Sequence, residues 1–270
     1  MTLFLCAAAN GHPTTGTKTD FTQTIKRLFD APSGVTVEVD NKYGAIAVES
    51  WDKKQVEIEA RIVVSANSES EARPVFDRIQ VHFKVVGNTI TAATGIGEES
   101  SSSWWNAFGV SSSSKTEFRI HYRIRLPKSG SVRLTNKYDD ILIGALHGDA
   151  ELNLDYGSFN LQSARNVTLR LNFATGTLGT AQNLDAEISN ANHCRLQSVE
   201  TGYLFTNNSR LTIGQAGNLN IDARNDAFAI GAVQKLNFQG RYADLDVRRL
   251  AEGNLSGRYS DIRIRNLDEA

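Results

Sequence analysis

The sequence predicts an all-β protein: a parallel β-solenoid (β-helix) of about 17-residue repeats, with an N-terminal antiparallel sheet and one short helix inserted as a cap. Three observations predict it. The stretch VEVDNKYGAIAV, Val37 to Val48, returns as VRLTNKYDDILI, Val132 to Ile143. A column of bend residues then recurs as Tyr138, Tyr156, Phe173, Asn190, Asn207, Asn225, Tyr242 and Tyr259, at spacings of 17 or 18. Each unit also carries short runs of alternating apolar residues, and a unit that small buries its inner face only by stacking on its neighbours.

Composition agrees with this class. Asn, Gly, Ser, Thr, Val, Ile and Leu are abundant and only four prolines occur, which suits short strands joined by tight turns. Twenty-nine Lys and Arg stand against thirty Asp and Glu. No basic field is left to attract a phosphate backbone, so nucleic acid is not an expected partner.

Residues 1–20 read as a signal remnant or flexible N-terminus. The apolar run Leu3 to Ala9, with Ala7 and Ala9 before Asn10, resembles the tail of a secretory signal, although it has no basic n-region. Leu5 before Cys6 fits poorly with lipoprotein processing. Removal of this segment would leave Cys194 alone, so no disulfide framework is expected. No run approaches the roughly 18 apolar residues of a spanning helix, so no transmembrane segment is expected. The protein is therefore expected to be exported.

Residues 21–131 contain the first repeat copy, with Tyr43 in its bend, and then an interruption. Val56 to Ser65 reads as a longer strand. Ser68 is a helix N-cap candidate followed by acidic residues, and Pro74 is expected to limit that helix. VHFKVVGNTITAAT reads as two strands around Gly87-Asn88, and Lys115 to Leu126 as another. These elements are expected to form the antiparallel sheet that covers the first coil, since an open coil end exposes unpaired strand groups. Within this region lies GIGEESSSSWWNAFGVSSSS, residues 95–114. Its Trp104, Trp105 and Phe108 form a candidate binding loop for a sugar, a lipid headgroup or a partner protein; the alternative is a hairpin tip folded back on the sheet.

Residues 132–270 carry the solenoid repeats. Val167, Leu169 and Leu171 before a bend, and Leu211 and Ile213 after one, show the plan: period two places them on one inner face, with Arg170, Glu187, Asp222 and Gln239 outside. Stacked bends would set ring on ring, and the amides of Asn190, Asn207 and Asn225 into a hydrogen-bonded ladder. Arg258, Asp261, Arg263 and Arg265 suggest a polar terminal cap.

Chemistry has little to hold in this sequence. His12, His82, His121, His147 and His193 are scattered, and His193 and Cys194 are adjacent and expected to point to opposite sides. No metal, cofactor or catalytic residue is predicted. The acids that a polysaccharide lyase or glycosidase would need are Asp139, Asp140, Asp149, Glu151 and Asp155, with Asp185 and Glu187 apart.

VEVDNKYGAIAVESWD, YRIRLPKSGSVRLTNKYDDILI and the following Tyr-Gly, Asn and Tyr-Ala bends resemble the bacterial β-strand-repeat proteins of unknown function labelled "putative adhesins". The resemblance runs from Phe21 onward. It implies a parallel β-solenoid, export and no known enzyme activity, and it supplies no catalytic residues. The functional expectation is a non-enzymatic, adhesin-like or scaffold protein of the cell envelope that binds an envelope protein or glycan. The alternatives are a carbohydrate-active β-helix enzyme and a periplasmic sensor that captures its partner through residues 104–108.

Overall fold

A computed structural model of the chain describes residues 18–96 and 117–267. The chain opens with β1 (Thr19–Asp30) and lays down a first coil as β2 (Thr36–Asp40) and β3 (Ile46–Trp51). It leaves the solenoid for β4 (Gln55–Ala66), α1 (Glu69–Arg78), β5 (Ile79–Val86), β6 (Thr89–Ile96) and β7 (Glu117–Pro127), then returns as β8 (Ser131–Lys137) and β9 (Ile141–Ala145). The two Asn-Lys-Tyr copies are thereby set side by side. Val37 lies beside Val132 and Ile46 beside Ile141, in parallel ladders.

From β10 (Ala150–Asp155) the chain winds through β11 (Ser158–Asn172), β12 (Thr175–Ser189), β13 (Cys194–Asn207), β14 (Arg210–Arg224), β15 (Ala227–Arg241), β16 (Asp244–Arg258) and β17 (Ile262–Leu267). Ala150 pairs with Val167, Ser158 with Thr175 and Arg210 with Ala227, each residue beside the one seventeen positions on. One 17-residue unit is therefore one full coil. Longer steps of eighteen set Val132 beside Ala150 and Ile141 beside Phe159 at the start of this stack, and Gly176 beside Cys194, where the bend from Asn190 to His193 carries an extra residue.

The alternation that marks the strands also marks their corners. In β11 the buried residues are Phe159, Leu161, Ala164, Val167, Leu169 and Leu171. The steps are two residues along each straight run and three on either side of Ala164, where the coil turns. Ala181, Val199, Ala216, Val233 and Leu250 stack on Ala164 in register. From Ala164 to Leu250 this corner position holds Ala in three coils and Val or Leu in the other three. Inward residues from the cap to β16 form one apolar core, and each fully buried Val, Leu, Ile or Phe contributes about 1.5–3 kcal/mol relative to exposure.

The cap turns a parallel stack into an antiparallel one. Strands β6 and β7 lie parallel to β2 and β3, forming the layer beyond the first coil. Beyond them, β5 pairs antiparallel with β6, β4 with β7, and β1 with β4. Tyr122 is fully buried in this cap, its hydroxyl 2.6 Å from Thr94 Oγ1, and burial pushes its phenol up to about 12. Helix α1 starts at the expected N-cap, where the Ser68 hydroxyl accepts from the Glu71 N–H, and it buries Ala72 and Val75. Pro74 does not limit it: the helix runs on to Arg78. A single proline there removes one intrahelical hydrogen bond, and the buried Ala72 and Val75 on either side tie the helix to the sheet.

Strand β1 lies partly within the segment expected to be a flexible N-terminus. Along one face part-buried Phe21, Ile25 and Phe29 alternate with exposed Gln23 and Arg27, a pattern that conceals the period of two. At the other end, Arg265 pairs with Asp246 at 2.7 Å and the Arg258 guanidinium lies 5.2 Å from the Tyr259 ring, while Ile262 and Leu267 are exposed beside them.

Candidate binding surface

The Asn-Lys-Tyr motif closes the early coils from inside. Asn41 and Asn136 are both buried; Asn41 Nδ2 donates to the carbonyls of Gly44 (2.8 Å) and Ile120 (2.9 Å), and Asn136 Nδ2 to those of Gly44 (3.1 Å) and Asp139 (3.0 Å). Each amide donates to carbonyls at the bends, and Asn41 reaches Ile120 in β7 as well, so these acceptors keep a partner away from water. Gly44 is required at the centre of this arrangement. It has φ +132°, and a Cβ there would collide with the Ile120 carbonyl.

Left-handed backbone recurs once per coil, at Tyr138, Tyr156, Phe173, Asn190, Asn208, Asn225, Tyr242 and Tyr259. The column expected at Asn207 is thus one residue later. Asn207 ends β13, and the extra residue between Asn190 and Cys194 moves the bend onto Asn208. Asn adopts this conformation readily, whereas Tyr and Phe incur a cost of about 1–2 kcal/mol. Their rings offset it by stacking: Tyr43 on Tyr138 (5.9 Å), Tyr138 on Tyr156 (5.6 Å), Tyr156 on Phe173 (5.1 Å) and Tyr242 on Tyr259 (5.2 Å). The amide ladder differs from the expected one. Asn208 donates to Asn190 (2.9 Å) and Asn190 to Asn172 (3.1 Å), without Asn207 or Asn225 as a rung.

The acids considered for catalysis are largely held by neighbours. Asp140 Oδ1 accepts from the Ser158 N–H (2.9 Å) and hydroxyl (2.7 Å), Asp149 from Arg165 (3.1 Å) and Asn166 (2.8 Å), and Glu151 pairs with Arg133 at 2.9 Å. Among the described residues no group of three metal-ligating side chains converges. His121 Nδ1 accepts from the Ala45 N–H (3.1 Å), and burial lowers its pKa. Cys194 points into the core and His193 outward; burial pushes the thiol up to about 12.

Two surface features remain. A groove of about 750 Å³ runs along the corner from Leu146 to Gln234. Ala164, Ala181 and Val199 make its floor, and Arg165, Gln182, Glu200 and Gln215 its polar walls. It spans coils at steps of about 4.8 Å, roughly 24 Å in all. On the adjoining flat face, Tyr203 and Phe205 project outward from β13 with more than half of each side chain exposed. Sequence reasoning missed both features, although the burial of Leu204 between the two rings fixes their direction by parity. Trp104, Trp105, Phe108 and the rest of that loop lie outside the described residues.

No family model matches the chain, and no curated protein matches it. Solved structures do resemble it. One is a "putative lipid binding protein" of Parabacteroides distasonis, at 11% identity over 93% of this chain and 96% of that one, with a TM-score of 0.42. Another is a "putative adhesin" of the same organism, at 9% identity over 90% and 97%, with a TM-score of 0.42. A "putative adhesin" of Bacteroides fragilis is 15% identical over 90% and 97%, with a TM-score of 0.39. Among the described residues no helix is long and apolar enough to cross a membrane.

Proposed function

We propose that the protein is a non-enzymatic, adhesin-like binding protein of the bacterial envelope, which engages an extended partner along the outside of its solenoid. The observation that carries this reading is the corner groove, whose walls are renewed by each successive coil from Leu146 to Gln234. An elongated, open and polar channel suits a polymer chain or an extended peptide better than a small substrate, which is usually held in an enclosed apolar pocket. The engagement of Asp140, Asp149 and Glu151 in structural bonds supports binding over hydrolysis. The Trp104, Trp105 and Phe108 segment is proposed as an additional contact, on its composition.

The test is an adhesion assay with beads that carry the full chain, applied to bacterial and mucin-coated surfaces. Retention well above albumin-coated beads, reduced by deletion of residues 100–114 and by Arg165→Glu in the groove wall, is the expected result. Retention equal to albumin, or cleavage of a polysaccharide by the purified chain, would overturn the reading.

A further inference from the structure

The outward face of the run before each bend is polar in every coil but one. Successive coils present Thr168 and Arg170, Asp185 and Glu187, then Tyr203 and Phe205, then Asn220 and Asp222, then Asn237 and Gln239, all in register. Two large rings therefore interrupt a polar face, at alternate positions of one strand and so on the same side. Neither is covered. Tyr203 is 59% exposed and Phe205 56%, and among the described residues no other ring stacks on either. The bend rings differ, because Tyr138, Tyr156 and Phe173 use their faces on one another.

The surroundings state what would cover these rings. They border a depression of about 270 Å³ lined also by Asp185, Asn220, Asp222 and Asn237. Asn237 Nδ2 donates to Asn220 Oδ1 (2.9 Å), which fixes the orientation of both amides. Asp185, Glu187 and Asp222 are exposed, and among the described residues none of them forms an ion pair, so their oxygens face solvent as acceptors. The set combines exposed ring faces, aligned amides and unpaired carboxylates, with Arg170 in register beside Glu187 on its far side. A pyranose matches this set: its C–H face stacks on an aromatic ring, and its hydroxyls donate to carboxylates and exchange hydrogen bonds with amides. The carboxylates would repel uronate or sulfated chains and leave neutral ones favoured.

We propose that Tyr203 and Phe205 are a stacking platform for a neutral polysaccharide, flanked by Asp185, Glu187, Asn220 and Asp222 as its hydrogen-bonding partners. This rests on the reading of the solenoid exterior as a binding surface and names the ligand class for one part of it. Tyr203 and Phe205 supply the contact area and the flanking side chains select hydroxyl-bearing rings. Charge sets the discrimination against acidic glycans.

The experiment is affinity electrophoresis of the full chain through gels containing mixed-linkage β-glucan, galactomannan or glycol chitin, with polygalacturonate as the acidic comparator. Retardation by at least one neutral polymer, none by polygalacturonate, and at least tenfold weaker retardation of the Tyr203→Ala/Phe205→Ala variant are expected. Tyr203→Phe should keep most of the retardation, since it keeps the ring face. Both rings are exposed, so the double variant should unfold at the wild-type temperature. The proposal is overturned if no neutral polymer retards the chain, if the double variant is retarded equally, or if sedimentation shows that the double substitution converts a dimer to a monomer. Failure of the platform in electrophoresis, with bead adhesion of the wild type retained, would leave the broader reading standing; loss of all adhesion in the wild type would remove the broader reading itself.

Discussion

Asn136 Nδ2 donates to the carbonyl oxygen of Gly44, ninety-two residues earlier in the chain, at 3.1 Å. This bond joins the two Asn-Lys-Tyr copies directly, across the whole inserted cap. Asn136 is 1% exposed and donates also to Asp139 O. Asn136→Ala leaves buried carbonyls without a donor and should cost about 1–3 kcal/mol in urea unfolding. Asn136→Asp should cost more, because a carboxylate would face the same carbonyls. Wild-type midpoints in both variants would contradict the role assigned to the motif.

The Asn190 position separates backbone conformation from the amide ladder. Asn190→Gly keeps an easy positive φ but loses the bonds to Asn172 and Asn208. Asn190→Ala loses the bonds and also meets the left-handed penalty, so it should be less stable than the glycine variant by about 1 kcal/mol. Thermal unfolding of the pair checks this, and equal stability would show that the conformation at this bend is not limiting.

Asp226 is a buried acid that accepts from Thr206 Oγ1 (2.7 Å), the Ser209 N–H (2.6 Å) and the Arg224 N–H (2.7 Å). Burial raises its pKa, and the three bonds only partly oppose this. The folded chain therefore holds the proton more tightly than the unfolded chain. The resulting contribution to stability is full below the unfolded value near 3.8 and is lost as pH rises through the raised folded value. Asp226→Asn turns an NH₂ toward a backbone N–H whichever way it is oriented, at a cost of about 1–3 kcal/mol. Measured by urea unfolding, the advantage of wild type over Asp226→Asn should shrink from acid to neutral pH; growth over that interval would contradict the raised pKa.

Cys194 should be inert while the coil is closed. Its thiol is buried and pushed up to about 12, which leaves about three orders of magnitude less thiolate than an ordinary cysteine at pH 8. In a Cys6→Ser background, an aromatic disulfide reagent should react only as denaturant unfolds the chain. Prompt reaction in native buffer would mean that the core opens locally at the Asn190–His193 bend.

Much of this architecture was legible in the sequence because parallel stacking repeats one pattern at a fixed interval. Val167, Leu169 and Leu171 announced an inner face, and all three are buried. What escaped had specific causes. The doublet Asn207-Asn208 offered two equivalent residues for one bend, and only the longer loop before Cys194 selects Asn208. Tyr203, Leu204 and Phe205 are all apolar, so composition alone did not tell inside from outside. The corner groove follows from three-residue steps around Ala164, which read in the sequence as a lapse in alternation. Gln23 and Arg27 likewise broke the apolar pattern of β1.

An adhesin-like protein that meets its partner along the solenoid exterior must be reachable from outside the cell, which protease shaving of intact producing cells measures, with a periplasmic protein as internal control. The expected result is cleavage of the full-length chain within residues 100–114 while the control stays intact. Protection of the chain until the outer membrane is opened, at the point where the control is also digested, would contradict an adhesin-like role at the cell surface.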